Sequence, residues 1–192
     1  MKKIAVLSLA VLLVFMMSSS AFAAFSLKMG YEPSGTLNSV YSTNGGINLS
    51  ANDSRTVAGG FSLGGETTRR TVEGLIYGVG AEYQFYRQAE GGNTGFSFIP
   101  VYGVARAEFP FIQKTRSFVF GRVGYNFYQE ANPTDGYNLH GGLYYAAGVG
   151  LILSKNAELQ FMYSCNNGEA DSSYLNVQHV YSKYSLGLGI KL

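Results

Sequence analysis

From residue 25 onward the chain alternates apolar and polar positions with a period of two, the spacing of strands that show one face to an apolar phase. The first stretch places Phe25, Leu27, Met29 and Tyr31 on one face and Ser26, Lys28, Gly30 and Glu32 on the other. Pro33 is expected to end this strand, and residues 34 to 55, rich in Ser, Asn, Gly and Thr, to form a long polar loop. A second strand, from Thr56 to Glu66, would set Val57, Gly59, Phe61 and Leu63 on its apolar face. Further strands are predicted over Val72 to Arg87, Phe96 to Phe109, Ser117 to Tyr128, Gly141 to Leu153 and Ala157 to Cys165, and an eighth runs to Leu192. Polar stretches at 88 to 95, 129 to 140 and 166 to 176 read as further long loops, whereas the connections near 67 to 70, 110 to 116 and 154 to 156 are short. Eight strands whose connections alternate long and short predict an all-β, antiparallel, up-and-down transmembrane barrel.

Charge decides which face points where. Lys28, Glu32, Glu82, Arg106, Glu108, Arg122, Glu158, Lys183 and Lys191 fall on the Gly-containing faces, and Glu66 joins them. A base facing lipid at mid-membrane costs roughly 2 to 4 kcal/mol, so this face is expected to line the lumen. Five acids and five bases would then pair inside, sharing the space with Tyr102, Phe120, Tyr144 and Tyr181. An eight-stranded barrel has an interior just wide enough for its own side chains, so the expected lumen is filled. A narrow ion path is the alternative.

Composition narrows the setting. Charged residues make up 14% of the chain, against about 25% in soluble domains. Residues 1 to 23 carry Lys2 and Lys3, an apolar run from Ile4 to Met17 and Ala21-Phe22-Ala23, the plan of a cleaved secretory signal peptide. Residues 24 to 192 would be the barrel domain, with no further domain after strand eight. Losing the leader lowers the 14 basic residues to 12 against 12 acids, and a neutral chain without a basic run gives no reason to expect nucleic acid. Cys165 is the single cysteine, which rules out an internal disulfide.

The last strand sets Tyr184, Leu186, Leu188, Ile190 and Leu192 on one face, with Ser185, Gly187, Gly189 and Lys191 on the other. The positions of Ser185, Gly187, Ile190 and Leu192 resemble the C-terminal signal by which outer-membrane barrels are recognised for insertion, departing from it in a final Leu where that family usually has Phe. Residues 25 to 192 as a whole resemble the small eight-stranded outer-membrane barrels of the OmpA transmembrane-domain, OmpX and opacity-protein type. The resemblance implies a bacterial outer-membrane location, contact with membrane lipid and lipopolysaccharide, insertion by the barrel-assembly machinery, and a role in envelope integrity or surface contact through the loops, with an unidentified surface ligand.

Enzyme chemistry is weakly signalled. Phe161 to Asn166 loosely resembles the His-x-Ser-Asn segment of the lipid A 3-O-deacylase family, with Ser164 present but Met162 where the base belongs, and a serine without a base is a poor nucleophile. His179 could approach Ser164 from the neighbouring strand, which weakens the hydrolase alternative without removing it. A lipid A-modifying enzyme is therefore the alternative to a non-enzymatic barrel. No catalytic residue, metal site or cofactor is assigned, since no calcium-loop or phosphate-loop context appears.

Overall fold

The computed structural model describes residues 24–43, 50–92, 95–112, 115–131 and 137–192. The expected leader, residues 1 to 23, lies outside them. The described residues form β1 (Ala24–Thr43), β2 (Ser50–Arg70), β3 (Ile76–Gln84), β4 (Arg87–Gln88), β5 (Gly95–Ile112), β6 (Thr115–Glu130), β7 (Asn138–Ile152), β8 (Ala157–Asp171) and β9 (Leu175–Lys191). Each strand pairs antiparallel with its neighbours, and β3 and β5 are also hydrogen-bonded to each other. The sheet therefore closes into a ring. The two-residue β4 continues β3 after a break at Phe85 and Tyr86, so β3 and β4 make one stave and the barrel has eight. The last strand closes it as the sequence predicts, with Ser26 opposite Lys191 and Tyr31 opposite Leu186. No helix among the described residues is long and apolar enough to cross a membrane.

The strands are longer than the alternation suggested. β1 continues through Pro33 to Thr43, where Gly35 to Ser42 pairs with both β2 and β9. Most of the polar stretch assigned to a first long loop is therefore strand, and only 44–49 lies outside the described residues. The last long loop likewise shrinks to residues 172–174 between β8 and β9. The remaining connections at this end are 89–94 and 131–137, little longer than 71–75 and 153–156 at the other. A 21-residue strand such as β2 rises roughly 50 Å at about 3.3 Å per residue and a tilt near 40°, twice the apolar band of about 25 Å that such a barrel needs. Beyond that band both faces of a strand can be polar. The alternation fades there although the pairing persists.

Facing also changes with height. Glu32, Ser62 and Gln84 point inward in the lower part of their strands, yet Leu37, Val57 and Ala89 point inward higher up. One extra residue in each of three adjacent staves, near Pro33, Gly59 and Phe85, reverses the parity. Against β9 the extra residue shows as a register shift between Tyr31 and Gly35. Against β5, six steps from Ala81 to Arg87 match five from Val101 to Phe96. Pro100, which has no N–H to donate, lies within that unpaired interval. β1 and β2 stay in register with each other because both carry the insertion. Val57, expected on the apolar outer face, is for this reason wholly buried inside.

Below these bulges the outer face is a continuous apolar surface, exposing Leu27, Met29, Leu63, Val119, Val123, Leu143, Val149, Leu186, Leu188 and Ile190. Rings gather at its upper margin, where Tyr31 packs on Phe61 and Tyr184 packs on both Phe161 and Tyr163. This is the aromatic girdle that marks the level of a membrane interface.

Candidate functional site

The interior is built from the inward-facing residues of all eight staves. At the end that carries Ala24 and Leu192, Glu108 receives Arg106 at 3.0 Å, Arg70 at 2.5 Å and Arg116 at 2.5 Å. One layer further in, Glu158 meets Arg106 at 2.6 Å, Lys191 at 3.5 Å and Lys28. Lys28 also reaches Glu66 at 3.4 Å, and Glu66 holds Arg122 at 2.5 Å, with Glu82 3.8 Å from the same guanidinium. Higher still, Glu32 takes Lys183 at 2.5 Å and lies in close charge contact with Arg87. Gln84 bridges upward from Glu82 to Asn166 at 3.2 and 3.1 Å.

Nine residues expected in the lumen are thus brought together, and Lys191 stands at its half-open mouth. The tenth interior charge that the sequence reading missed is Arg87, placed beside a loop because it follows the bulge that turns it inward. The buried set is Lys28, Arg87, Arg106, Arg122 and Lys183 against Glu32, Glu66, Glu82, Glu108 and Glu158, once Glu108's nearly covered side chain is counted. Charges out of water persist when opposite charges and hydrogen bonds satisfy them, and five against five meets that condition.

Aromatic rings fill what charge leaves. The Arg106 guanidinium lies over the Phe118 ring at 3.4 Å from its centroid, and Arg122 lies between Tyr102 and Phe120 at 4.8 and 5.0 Å. Small residues make room for these rings. A side chain at Gly124 would collide with the Val101 carbonyl and the Tyr102 backbone, and one at Gly150 with the Phe118 ring. Above the charges, Leu37, Val57, Ala89, Phe96, Phe98, Tyr128 and Tyr181 form a second, apolar plug. Phe96 and Phe98 both pack on Tyr181, whose hydroxyl accepts a hydrogen bond from Arg87 at 3.2 Å.

Among the described residues a shallow opening lies at each end. The lower, of about 170 Å³, is lined by Lys28, Arg70, Arg106, Glu66, Glu108 and Lys191. The upper, of about 220 Å³, is lined by Tyr41, Phe96, Tyr128, Arg55, Glu130 and His179. His179 Nδ1 lies 2.9 Å from Ser39 Oγ, and burial lowers its pKa to about 4.

Register separates the two residues on which the hydrolase alternative depended. His179 stands opposite Gly168, whereas Ser164 stands opposite Lys183, so the histidine is four residues up the strand from the serine it would have to serve. Ser164 Oγ is buried with no hydrogen-bond partner, and Lys183 is engaged by Glu32. Among the described residues no cluster of His, Cys, Asp and Glu could hold a metal ion. Ser185 lies on the inner face of β9, and Ile190 and Leu192 lie on the outer face. Gly187 lies between them on the inner side, opposite Gln160 and Gly30.

No protein-family model and no curated protein matches the chain. Solved structures do. Neisserial surface protein A superposes with a TM-score of 0.50 at 18% identity, covering 88% of this chain and 99% of that one. The outer membrane protein OprG from Pseudomonas aeruginosa superposes with a TM-score of 0.52 at 13% identity, covering 89% of this chain and 97% of that one. The fold is that of the small outer-membrane β-barrels. At these identities the likeness concerns architecture, and it matches the closed ring of eight staves with its apolar outer face. The barrel's interior charges and its two plugs are described from this chain's own residues.

Proposed function

We propose that this barrel resides in a bacterial outer membrane, after removal of residues 1 to 23, and serves envelope integrity or surface contact through its outer mouth rather than conducting solutes or catalysing a reaction. The observation that carries this reading is the filled bore: a polar layer of paired charges sealed by Phe96, Phe98 and Tyr181 above. The half of the wall that projects past the apolar band then offers the surface on which a partner would act, with Tyr41, Arg55, Glu130 and His179 at its opening. Recognition on small scaffolds concentrates at such rims.

In this reading the short turns face the periplasm, the outer apolar surface contacts lipid and the tall hairpins stand among lipopolysaccharide. Ser185, Gly187, Ile190 and Leu192 would be read by the barrel-assembly machinery. Two measurements test the proposal. In planar bilayers the purified barrel is expected to give no stable open state of nanosiemens size, and such a state would refute the filled bore. On intact cells, surface cross-linking should capture a partner with the wild type and lose it when residues 43 to 50 are replaced by a two-residue turn. Unchanged capture would move the function away from the outer mouth.

A further inference from the structure

Charge balances inside the barrel but not at its lower mouth. The five buried bases match the five covered acids, so three further bases that touch this network have no acid of their own among the described residues: Arg70, Arg116 and Lys191. Each leans on a carboxylate that already has a buried partner. Arg70 and Arg116 lie side by side on one oxygen, Glu108 Oε2, while Arg106 holds Oε1. Lys191 stands 3.5 Å from Glu158, which Lys28 and Arg106 already engage. The turns 71–75 and 153–156 at this end add one charge of each sign, Glu73 and Lys155, and so leave the excess in place.

Exposure sorts these groups by sign. The side chains of Arg70, Arg116 and Lys191 are 46%, 57% and 30% exposed, whereas those of Glu108 and Glu158 are 3% and 1% exposed. A solute arriving at this end therefore meets cations, with the carboxylates covered beneath them. Arg70 and Lys191 both line the opening of about 170 Å³, and Lys28 lines it further in. Arg70 directs Nη2 to Glu108 at 2.5 Å and Nη1 to the Gly74 carbonyl at 3.3 Å, and a guanidinium has more donors than these two bonds use. The Lys191 ammonium likewise has more N–H groups than its one ion-pair contact occupies. Like charges held close together repel, and an anion placed between them removes that cost.

We propose that the lower opening binds one phosphate group, held between the Arg70 guanidinium and the Lys191 ammonium, with Lys28 adding positive potential from below. A phosphate monoester carries about −1.5 to −2 charges at neutral pH, which suits a mouth with an excess of cations. The planar arginine fork pairs well with phosphate oxygens. Size narrows the choice, because the opening is smaller than the roughly 300 Å³ at which sites for whole small molecules begin; a headgroup-sized anion fits and a nucleotide does not. Glu66 and Glu108 also line the opening and would repel an anion, but Lys28 and Arg122 neutralise the first, and Arg106 and Arg116 the second. Arg116 is thus a positioning residue, since its bond to Glu108 lets Arg70 turn to the phosphate. Two sources offer such a group, free inorganic phosphate and the head of a membrane lipid. The site itself stands apart from the membrane placement given above, and only its periplasmic orientation rests on it.

The test is isothermal titration calorimetry of the folded barrel in dodecyl maltoside micelles with inorganic phosphate near neutral pH. The wild type is expected to show saturable binding of one phosphate per barrel. Arg70→Gln and Lys191→Gln should each weaken it about tenfold, the ratio set by one charge-assisted hydrogen bond, and Arg70→Lys, which keeps the charge without the fork, should recover part of the loss. Lys155→Gln removes a cation from a nearby turn outside the opening and should leave the affinity unchanged. Heat that never saturates, or equal weakening by Lys155→Gln and Arg70→Gln, would overturn the proposal, leaving only diffuse attraction. Arg70→Gln keeps Glu108 paired with Arg106 and Arg116, and heat-modifiable gel mobility checks that each variant is folded. Repeating the titration in phosphatidylcholine nanodiscs with and without phosphatidic acid assigns the source: suppression by phosphatidic acid supports a lipid head in the site, and undiminished binding supports free phosphate. A barrel that binds phosphate in micelles but fails to insert in vesicles would sink the membrane reading and keep the site, whereas normal insertion without saturable binding would sink the site alone.

Discussion

Replacing Glu32 by Gln should be among the most damaging single changes to this barrel. The Glu32 side chain is 1% exposed and is the one carboxylate within ion-pair distance of both Lys183, which is wholly covered, and Arg87, 2% exposed, among the described residues. The amide keeps the shape and removes the charge. Removing one partner of a buried ion pair costs about 3–5 kcal/mol because the other charge is left uncompensated. Arg87 retains neutral acceptors at 3.2 Å in the Tyr181 hydroxyl and the Phe61 and Phe85 carbonyls, so its share is the smaller. Lys183 has no second carboxylate within 4.0 Å among the described residues and bears most of the loss. The expected destabilisation is therefore at the upper end, about 5 kcal/mol. Urea unfolding in phospholipid vesicles, followed by circular dichroism and gel mobility, measures it. Adding Lys183→Met removes the stranded cation and should recover about half of the loss, a coupling that a double-mutant cycle isolates. A loss below about 1 kcal/mol for Glu32→Gln alone would contradict the account of the interior as a satisfied charge network.

Other consequences are separately testable. Gly124→Ala places a methyl group against the Val101 carbonyl and the Tyr102 backbone; overpacking of this kind costs typically 1–3 kcal/mol, so the urea midpoint should fall, and an unchanged midpoint would show that β5 and β6 yield there. His179 should titrate near pH 4 rather than near its ordinary value of about 6.5. With the folded value depressed, its contribution to stability is complete above about pH 6.5 and is lost as pH falls toward about 4; an NMR titration of the imidazole giving the ordinary value would contradict its burial against Ser39. Deleting residues 34 to 55 should loosen the outer plug, since it removes Leu37 and part of the wall that pairs with β9, whereas replacing only residues 43 to 50 should leave a heat-modifiable barrel; equal mobility and equal urea midpoints for the two would show that the upper hairpin has no structural share.

The sequence was informative wherever two different solvents act on one strand. Within the lower part of the barrel, lipid on one side and packed charge on the other enforce a strict period of two, and the facing of Lys28, Arg106, Arg122, Glu158 and Lys183 could be read directly. That constraint lapses above the girdle. Water outside and polar groups inside permit Ser, Asn and Thr on both faces, so Gly35 to Ser42 looked like loop although it is strand paired on both sides. The bulges were equally invisible. One extra residue leaves composition unchanged and reverses facing, which moved Val57 inside and hid Arg87 from the charge count. Pro33 was read as a stop, but it lies at the point where β1 takes its extra residue and continues. The Ser164 and His179 pair failed for a related reason, since adjacency of strands does not fix register, and four residues along β9 separate a neighbour from a bystander.

The central claim is that the outer face of this ring meets lipid while the inner face is packed and shut off from water. Spin labels placed singly from Phe118 to Phe127 of β6, in a Cys165→Ser background reconstituted in vesicles, test it most directly. The account predicts high accessibility to oxygen at Val119, Val123, Tyr125 and Phe127, and low accessibility to both oxygen and a water-soluble nickel chelate at Phe118, Phe120, Arg122 and Asn126, with a period of two. Labels at both parities open to the nickel chelate would contradict it, because a wall with water on both sides is neither a lipid-facing surface nor the boundary of a filled bore.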